Sequence, residues 1–335
     1  MPDARLIDAT CPARAALAGN PSDGYGGAVV SIPVRTRCAV VTLRPDAQYR
    51  FSGVDNEITL ATWNDVVRLA GEATPESPHA LALATTAAVG PTPGFALDVT
   101  STIARSVGLA GSSAIVIAAL RALYRHAVRD LPHPDVVAST ALAVEVAGLG
   151  IAAGLQDRVV QAYGHPMLMR FDAASMGKMD GRPVGTYRKL DVSLPLRFFV
   201  ATLAVESEPS QVVHSSLRTR HAAGDNHVEA SMTKLARLAE QAADAFECGD
   251  VTLLGAAMDA TFDLRRTLVD VSPQLELMVQ TARSAGASAN STGSGGSIVV
   301  LVRDEPMELV ARRLLAQLGC ELIDVGNADQ SSTDV

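Results

Sequence analysis

Apolar residues recur along the chain with two spacings, one typical of strands and the other of helices. In the first half, β-branched residues concentrate between 29 and 43, and apolar positions alternate from 95 to 103, so both segments predict strands. Apolar residues three and four positions apart predict helices in the same half. These helices are expected over residues 61–73, 111–129, 135–147 and 156–163.

A different composition begins near Tyr187. Apolar runs predict buried strands over 196–205 and 298–302, and the segment 321–325 predicts a strand at a sheet edge. Helical spacing recurs over residues 225–248, 251–268, 272–285 and 307–318.

Helices and strands do not follow a strict βαβ alternation, which indicates an α+β fold. The change of composition predicts a boundary near residue 185. We therefore expect two domains, 1–185 and 186–325, followed by a polar tail over 326–335.

Composition and charge narrow the class of protein. Of the 335 residues, 48% are hydrophobic and 19% are charged, which is typical of a globular protein with a large core. The formal net charge of −8 argues against general nucleic-acid binding, although a local cluster of arginines could still hold an anionic substrate. The four cysteines stand apart and show no spacing typical of a zinc site.

We expect neither a signal peptide nor a membrane-spanning segment. Residues 1–5 lack the apolar run of a signal peptide, and the apolar segment 80–89 is too short and too rich in threonine to span a bilayer. We therefore expect a cytoplasmic protein that binds neither nucleic acid nor membrane. The sequence leaves its oligomeric state open.

A segment rich in glycine and serine leads directly into a predicted helix. It consists of Gly108, Leu109, Ala110, Gly111, Ser112, Ser113 and Ala114, and the apolar residues 115–120 follow it. Free N–H groups and the positive end of the helix dipole favour a phosphate at such a junction. The hydroxyls of Ser112 and Ser113 either cap the helix or reach a phosphate-bound Mg²⁺. The alternative is an ordinary helix N-terminus after a tight turn.

Two other glycine-containing segments, 11–27 and 291–297, accompany this loop. No Gly-x-x-x-x-Gly-Lys-Ser/Thr segment occurs, which excludes a Walker A site. A partial dinucleotide fingerprint over 148–150 follows helical residues and not a strand, which argues against a dinucleotide site.

Taken together, the three segments resemble the motifs of the GHMP kinases, the superfamily of galactokinase, homoserine kinase, mevalonate kinase and phosphomevalonate kinase. The matching positions are Pro12, Arg14, Gly19 and Asp23, then 108–114, then Gly293, Ser294, Gly295 and Gly296. The resemblance implies a two-domain α+β fold, with an N-terminal domain like domain 2 of ribosomal protein S5 and a ferredoxin-like C-terminal domain. It also implies that ATP binds between them, with its phosphates on 108–114.

Within the superfamily the chain is most similar to the glucuronokinases. The segments that carry this similarity are 19–25, 154–161, 213–220 and 262–266. Two positions depart from the wider pattern. Asn20 stands where galactokinase-like members have Glu followed by His, and Asn290-Ser291 stands where Lys-Phe is expected.

Asp157, at the start of a predicted helix, is the candidate catalytic base. Its carboxylate could accept the proton of a sugar hydroxyl that attacks the γ-phosphorus of ATP. The alternative is a carboxylate stabilised only by the helix dipole. Arg14 is the second catalytic candidate, because it could neutralise charge on the transferred phosphoryl group. Its alternative is a structural salt bridge with Asp23 or Asp157.

The resemblance offers Glu145 as a Mg²⁺ ligand beside Ser112. One carboxylate, one hydroxyl and phosphate oxygens suit this cation. The alternative is a buried glutamate satisfied by a backbone amide or by an arginine.

The resemblance also implies a set of substrate-binding residues. Sugar contacts are expected from Asn20, Asp23, Tyr25, Gly295 and Gly296. A sugar acid would also need a cation for its carboxylate, and arginine offers two parallel N–H donors. The candidates are Arg265, Arg266, Arg218 and Arg220, with His214 nearby in sequence. Arg265 and Arg266 point to different faces of one helix, so at most one is expected to face the site.

The expected reaction is the transfer of phosphate from ATP to the anomeric hydroxyl of D-glucuronate, with Mg²⁺ as cofactor. One alternative is a related kinase for a heptose phosphate, fucose or galactose. The other is a protein of the same fold that binds a nucleotide or metabolite without catalysis.

Overall fold

The computed structural model describes residues 6–53, 56–203 and 217–326. Its larger sheet contains seven strands: β1 (Ile7–Ala18), β2 (Ala28–Pro45), β3 (Tyr49–Ser52), β4 (Glu57–Leu60), β5 (Phe95–Ser101), β6 (Met167–Arg170) and β9 (Thr186–Lys189). The strand order is β4-β3-β5-β2-β6-β9, with β1 pairing β2. β3 and β5 are parallel and the other pairs are antiparallel, so the sheet is mixed.

The smaller sheet contains four antiparallel strands in the order β11-β12-β10-β13. They are β10 (Arg197–Thr202), β11 (Ser288–Ser291), β12 (Ser297–Val302) and β13 (Glu321–Asp324), while β7 (Gly177–Met179) and β8 (Arg182–Val184) form a separate hairpin. The segment 321–325 was predicted as an edge strand, and β13 confirms this. Together with the mixed sheet, the antiparallel sheet confirms the predicted α+β class.

Besides a helical segment over residues 217–222, nine α-helices lie within the described ranges. They are α1 (Trp63–Glu72), α2 (Ala80–Val89), α3 (Gly111–His126), α4 (Pro134–Ala143), α5 (Leu155–Tyr163), α6 (Asn226–Cys248), α7 (Val251–Arg265), α8 (Pro273–Ser284) and α9 (Glu305–Gln317). All eight helices predicted from periodicity are present, with ends that shift by up to three residues. The exception is the segment 135–147, where α4 ends at Ala143 and a π-helical turn, Val144–Gly148, follows.

The long antiparallel pair of β1 and β2 supports the site. Residues 13–18 of β1 are buried at successive positions, because α3 packs on both strands and α6 packs on them as well. The chain leaves β1 at Gly19, which has a φ of 94° and lies so close to Ala28 that a Cβ would be 2.3 Å from its carbonyl oxygen. A short 3-10 turn, Ser22–Tyr25, then returns the chain to β2.

Sheet membership bears on the predicted boundary between the domains. The strand that follows residue 185 is β9, and it pairs with β6 of the larger sheet. The next strand, β10, belongs to the smaller sheet. The division into two domains stays a prediction, and sheet membership favours a boundary between 190 and 196. Of the predicted tail, only Gly326 falls within the described residues. Across the described ranges, no helix has both the length and the apolar character needed to cross a bilayer.

Candidate active site

The glycine- and serine-rich loop ends in a helix start that no side chain caps. The N-cap of α3 is Ala110, with a left-handed φ of 60°, and Gly108 two residues earlier has a φ of 80°. Neither serine side chain caps the helix, so capping is not their role, whereas the ordinary helix N-terminus stays an alternative. The first N–H groups of a helix have no partner within it, and here they lie at the positive end of a 16-residue helix. This geometry suits a phosphate.

Each serine of this loop has a different partner. Ser112 Oγ donates to Glu145 Oε1 at 2.7 Å. Ser113 is buried and donates to Gln161 Oε1 at 2.6 Å. Gln161 in turn donates from Nε2 to the carbonyls of Pro12 (3.0 Å) and Ala110 (2.9 Å). The buried Gln161 thus fixes the left-handed Ala110 against β1, a role that the sequence did not predict.

The third motif packs on this loop through backbone atoms. A Cβ on Gly295 would lie 2.1 Å from the carbonyl carbon of Val107, and one on Gly108 would lie 2.7 Å from the amide nitrogen of Gly295. Only glycine fits at both positions. Gly296 contacts a different segment: its carbonyl accepts the N–H of Leu203 at 3.0 Å. The predicted sugar contacts of Gly295 and Gly296 stay predictions, since their described contacts are to protein backbone.

One guanidinium joins all three motifs. Arg14 Nε donates to Asp157 Oδ1 at 2.6 Å, and its Nη1 donates to the carbonyl oxygens of Gly108 (3.1 Å) and Thr292. Arg14 is buried, whereas the side chain of Asp157 keeps 24% of its surface exposed. The salt bridge considered as an alternative for Arg14 is therefore present. It lies beside the loop over 108–114 and leaves the carboxylate of Asp157 partly accessible.

Glu145 lies on the π-helical turn and is fully buried. Its carboxylate lies between the side chains of Ser112 and Arg158. Arg158 donates to Glu145 Oε2 from Nε at 2.8 Å and also from Nη2, so the alternative of a glutamate satisfied by an arginine is present. The other oxygen, Oε1, accepts from Ser112 beside the loop. Mg²⁺ commonly takes one or two protein ligands and fills its remaining positions with water and phosphate oxygens. Ser112 Oγ and Glu145 Oε1 could supply these protein ligands, with one oxygen each.

Asp23 lies next to Asp157 at the end of the β1–β2 pair. Its Oδ2 is close to Gly154, where a Cβ would lie 3.4 Å away. Burial, with a further contribution from the charge of Asp157, raises the pKa of Asp23 to about 6, and Arg14 opposes this shift. Tyr25 follows on the same turn. Within the described residues its buried hydroxyl has no hydrogen-bond partner, and its ring lies 4.9 Å from that of His221.

The two positions that depart from the GHMP pattern contact each other. Asn20 is buried; its Oδ1 accepts from Asn290 Nδ2 at 3.0 Å, and its Nδ2 donates to the carbonyl of Ser291 at 3.5 Å. Asn290 also donates to the carbonyl of Leu17 at 3.0 Å. These bonds connect the end of β1 and the residues just after it to the end of β11. The predicted sugar contact of Asn20 stays a prediction.

The structure separates the candidate arginines. Arg265 is buried beside Asp23 and Arg14, whose charges act on it. Arg266 is exposed and lies 3.4 Å from Glu276, away from this cluster. Arg220 pairs with Asp225 at 2.9 Å, and Arg218 is exposed near Tyr25. The predicted contact of His214 lies outside the described residues.

Comparison with known proteins identifies the family. The model of the GHMP kinases N terminal domain matches residues 78–165, and that of the GHMP kinases C terminal domain matches residues 239–319. Together the matches span about half of the chain, and they agree with the order of the motifs around Arg14. The chain belongs to the GHMP kinases, as the three motifs predicted.

The chain is also similar in sequence to two plant proteins. Glucuronokinase 1 of Arabidopsis thaliana is 36% identical over 225 residues, and Probable glucuronokinase 2 of the same plant is 36% identical over 226. Each match covers 64% of this chain. The chain spans 59% of the length of these relatives.

Solved structures of GHMP kinases share the fold. Lactococcus lactis galactokinase complexed with galactose has a TM-score of 0.78 at 15% identity, covering 96% of this chain and 93% of that one. Streptococcus pneumoniae phosphomevalonate kinase in complex with phosphomevalonate and AMPPNP has a TM-score of 0.77 at 16% identity, with coverages of 94% and 98%. These matches confirm the predicted GHMP kinase fold.

Proposed function

We propose that this chain is an ATP-dependent kinase that phosphorylates the anomeric hydroxyl of D-glucuronate. The observation that carries the proposal is the Arg14–Asp157 pair, which lies at the phosphate loop with its carboxylate partly exposed. Membership of the GHMP kinases supports the phosphotransferase activity. The 36% identity to the two Arabidopsis glucuronokinases supports the choice of substrate.

The phosphate loop is the proposed binding site for the phosphates of ATP. Donors are the uncapped N–H groups at the start of α3, and the helix dipole adds a favourable field. Gln161 and Gly295 hold this loop from two sides, so its donors are in place before the nucleotide arrives.

Asp157 is the proposed base. As the sugar oxygen attacks the γ-phosphorus, its O–H proton passes to the carboxylate of Asp157. A new bond forms between the sugar oxygen and phosphorus, and the bond between phosphorus and the β–γ bridging oxygen breaks to release ADP. Asp157 is held by Nε of Arg14, which fixes the direction of its carboxylate. The products are the sugar 1-phosphate, ADP and a proton that returns to solvent.

Arg14 has a second proposed role. Its guanidinium lies between Asp157 and the carbonyl of Gly108, next to the position proposed for the transferred phosphoryl group. A fixed positive charge there stabilises the charge that develops during transfer. Because Arg14 is buried and bonded on three sides, it needs no reorganisation as the reaction proceeds.

Ser112 and Glu145 are the residues proposed to hold Mg²⁺. When bound, the cation neutralises charge on the phosphates. The task of the protein is then to orient one oxygen of Glu145, which Arg158 and Ser112 achieve from opposite sides.

A phosphorylation screen tests the proposal. The purified chain is incubated with ATP, Mg²⁺ and one candidate acceptor at a time, and the product is identified by ³¹P NMR. The acceptors are D-glucuronate, D-galacturonate, D-glucose, D-galactose, L-fucose and a heptose 7-phosphate. We expect D-glucuronate 1-phosphate as the main product. A different preferred sugar would replace the substrate while retaining the kinase, and absence of turnover with every sugar would contradict the kinase itself.

A further inference from the structure

The last turn of α7 lies against the turn that carries Asp23. The N–H of Gly19 donates to Thr261 Oγ1 at 3.3 Å, which ties the end of β1 to this helix. Arg265 lies four residues after Thr261 and therefore on the same helix face. Leu264 and Leu268, on either side of Arg265 in sequence, pack in one apolar cluster with Tyr25. Arg265 is thus held beside residues 19–25 by contacts that do not involve its own guanidinium.

Arg265 is buried and has no ion-pair partner among the residues that the structure describes. The residue is 6% exposed, and its Nε is a buried donor that meets no acceptor in the described ranges. Nor does any ion pair of the described residues include it, although two other buried arginines of this site, Arg14 and Arg158, pair with Asp157 and Glu145. Charged groups with so little exposure almost always have a partner, because desolvation without one is costly.

The electrostatics of the cluster favour an added anion. Desolvation lowers the pKa of Arg265 to about 10, so the group is still cationic at neutral pH. Asp23 opposes this shift and Arg14 adds to it. Asp23 is the negative group whose charge acts on Arg265, while the carboxylate of Asp157 is paired with Arg14.

We infer that Arg265 binds the carboxylate of a sugar-acid substrate. This inference rests on the proposed kinase function and extends it by assigning the acid group of the substrate to one residue. A carboxylate offers two acceptors to the parallel N–H donors of a guanidinium, whereas the CH₂OH group of a neutral sugar cannot balance its charge.

The same arrangement orients the sugar. The charge of Asp157 acts on Asp23, and the charge of Asp23 acts on Arg265, so Asp23 is near both the proposed base and the proposed carboxylate site. In a pyranose, C1 and the C5 that bears the carboxylate are the two carbon neighbours of the ring oxygen. With the carboxylate at Arg265, the anomeric hydroxyl on the other side of the ring oxygen is directed to Asp157.

A paired substitution on α7 tests the assignment. Arg265→Met removes the guanidinium but keeps much of its volume, and Arg266→Met makes the same change at an exposed neighbour paired with Glu276. We expect Arg265→Met to lower the affinity for D-glucuronate about 10- to 100-fold by calorimetry, the effect of losing a charge-assisted pair. Affinity for D-glucose should change less than threefold in either variant, and Arg266→Met should match the wild type.

Nucleotide binding distinguishes a substrate carboxylate from an ATP phosphate as the partner of Arg265. The affinity for a fluorescent ATP analogue, measured without sugar, should be equal in the wild type and in Arg265→Met. A fall in nucleotide affinity, an equal loss for D-glucose and D-glucuronate, or an unchanged affinity for D-glucuronate would each overturn the inference.

Two further measurements keep the outcome interpretable. If Arg265→Met fails to fold, Arg265→Lys keeps the charge but not the two parallel donors, and we expect about a tenfold loss of D-glucuronate affinity; no loss would overturn the inference. Calorimetry with the wild type separates this inference from the kinase proposal. Binding of D-glucuronate without phosphate transfer would contradict the kinase but not Arg265, whereas turnover without dependence on Arg265 would contradict Arg265 alone.

Discussion

Arg158 and Glu145 form an almost completely buried ion pair, with side-chain exposures of 3% and 0%. Nε and Nη2 of the arginine both donate to Oε2 of the glutamate, and Oε1 is left for Ser112. Nη1 of Arg158 also bonds the carbonyl of Gly154 at 2.7 Å and lies 3.5 Å from Asp157 Oδ2. One arginine therefore connects the proposed metal-binding carboxylate to the start of the helix that carries the proposed base.

The first prediction concerns this pair. Arg158→Met should lower the free energy of unfolding by about 3–5 kcal/mol, because it leaves an uncompensated carboxylate in the core. Replacing both Arg158 and Glu145 by Met should recover most of that loss, since no buried charge remains. Urea unfolding of the wild type, both single variants and the double variant gives the coupling free energy between the two side chains. Additive effects of the two substitutions would show that the pair does not act as a unit.

The second prediction concerns the base. Asp157→Asn should lower turnover about 10²- to 10⁴-fold while nucleotide affinity stays within threefold, because the amide oxygen still accepts from Arg14 but cannot take up the proton. Asp263→Asn is the matched control, since Asp263 is exposed and pairs with Arg283, which is not one of the proposed site residues. Steady-state kinetics, nucleotide titration and thermal unfolding are measured on both. Turnover near the wild-type value in a folded Asp157→Asn protein would remove Asp157 from the mechanism.

The third prediction separates the two serines of the loop. Ser112→Ala should increase the Mg²⁺ concentration needed for half-maximal nucleotide binding, because a proposed ligand is lost. Ser113→Ala should leave that concentration unchanged and lower stability by about 1–3 kcal/mol, because Oε1 of Gln161 loses its donor in the core. Mg²⁺ titrations at fixed nucleotide and urea unfolding distinguish the two. Identical Mg²⁺ titrations for all three proteins would contradict the role given to Ser112.

The fourth prediction is a pH dependence due to Asp23. Its pKa in the folded protein, about 6, lies above the ordinary value of 3.8, so folding favours the protonated form. The contribution of Asp23 to stability is therefore greatest below about pH 4 and decreases as the pH rises towards 6. Asp23→Asn cannot titrate, so its stability relative to the wild type should increase over this range. Urea unfolding at pH 4, 5, 6 and 7 measures the difference, and a constant difference would contradict the shift.

Periodicity predicted most of the helices and the longest strand, but it did not find β1. Residues 13–18 of β1 are alanine and leucine apart from Arg14, residues that favour helices, and pairing with β2 overrides that preference. Helix α2 was not predicted for a different reason. Seven of its ten residues are buried, so it has no polar face from which a helical period could be recognised.

The candidate site could be predicted where the motif itself contains the functional group. Arg14, Asp157 and the loop over 108–114 do meet, as their motifs implied. The residues that hold them could not be found this way, because Gln161 reaches Pro12 from 149 positions along the chain. The choice between Arg265 and Arg266 likewise depends on how α7 is rotated against β1, which the sequence of the helix does not state.

The backbone contact between Gly108 and Gly295 separates a part of the site that tolerates no substitution from a part that does. No side chain fits between the loop over 108–114 and the third motif at Gly108 and Gly295, so substitution is hardly tolerated at these two positions. The wall formed by residues 20–25 and the end of α7 is built from side chains, and it can be altered without disturbing that contact. A protein built in this way can exchange one acceptor for another while its donor end stays the same.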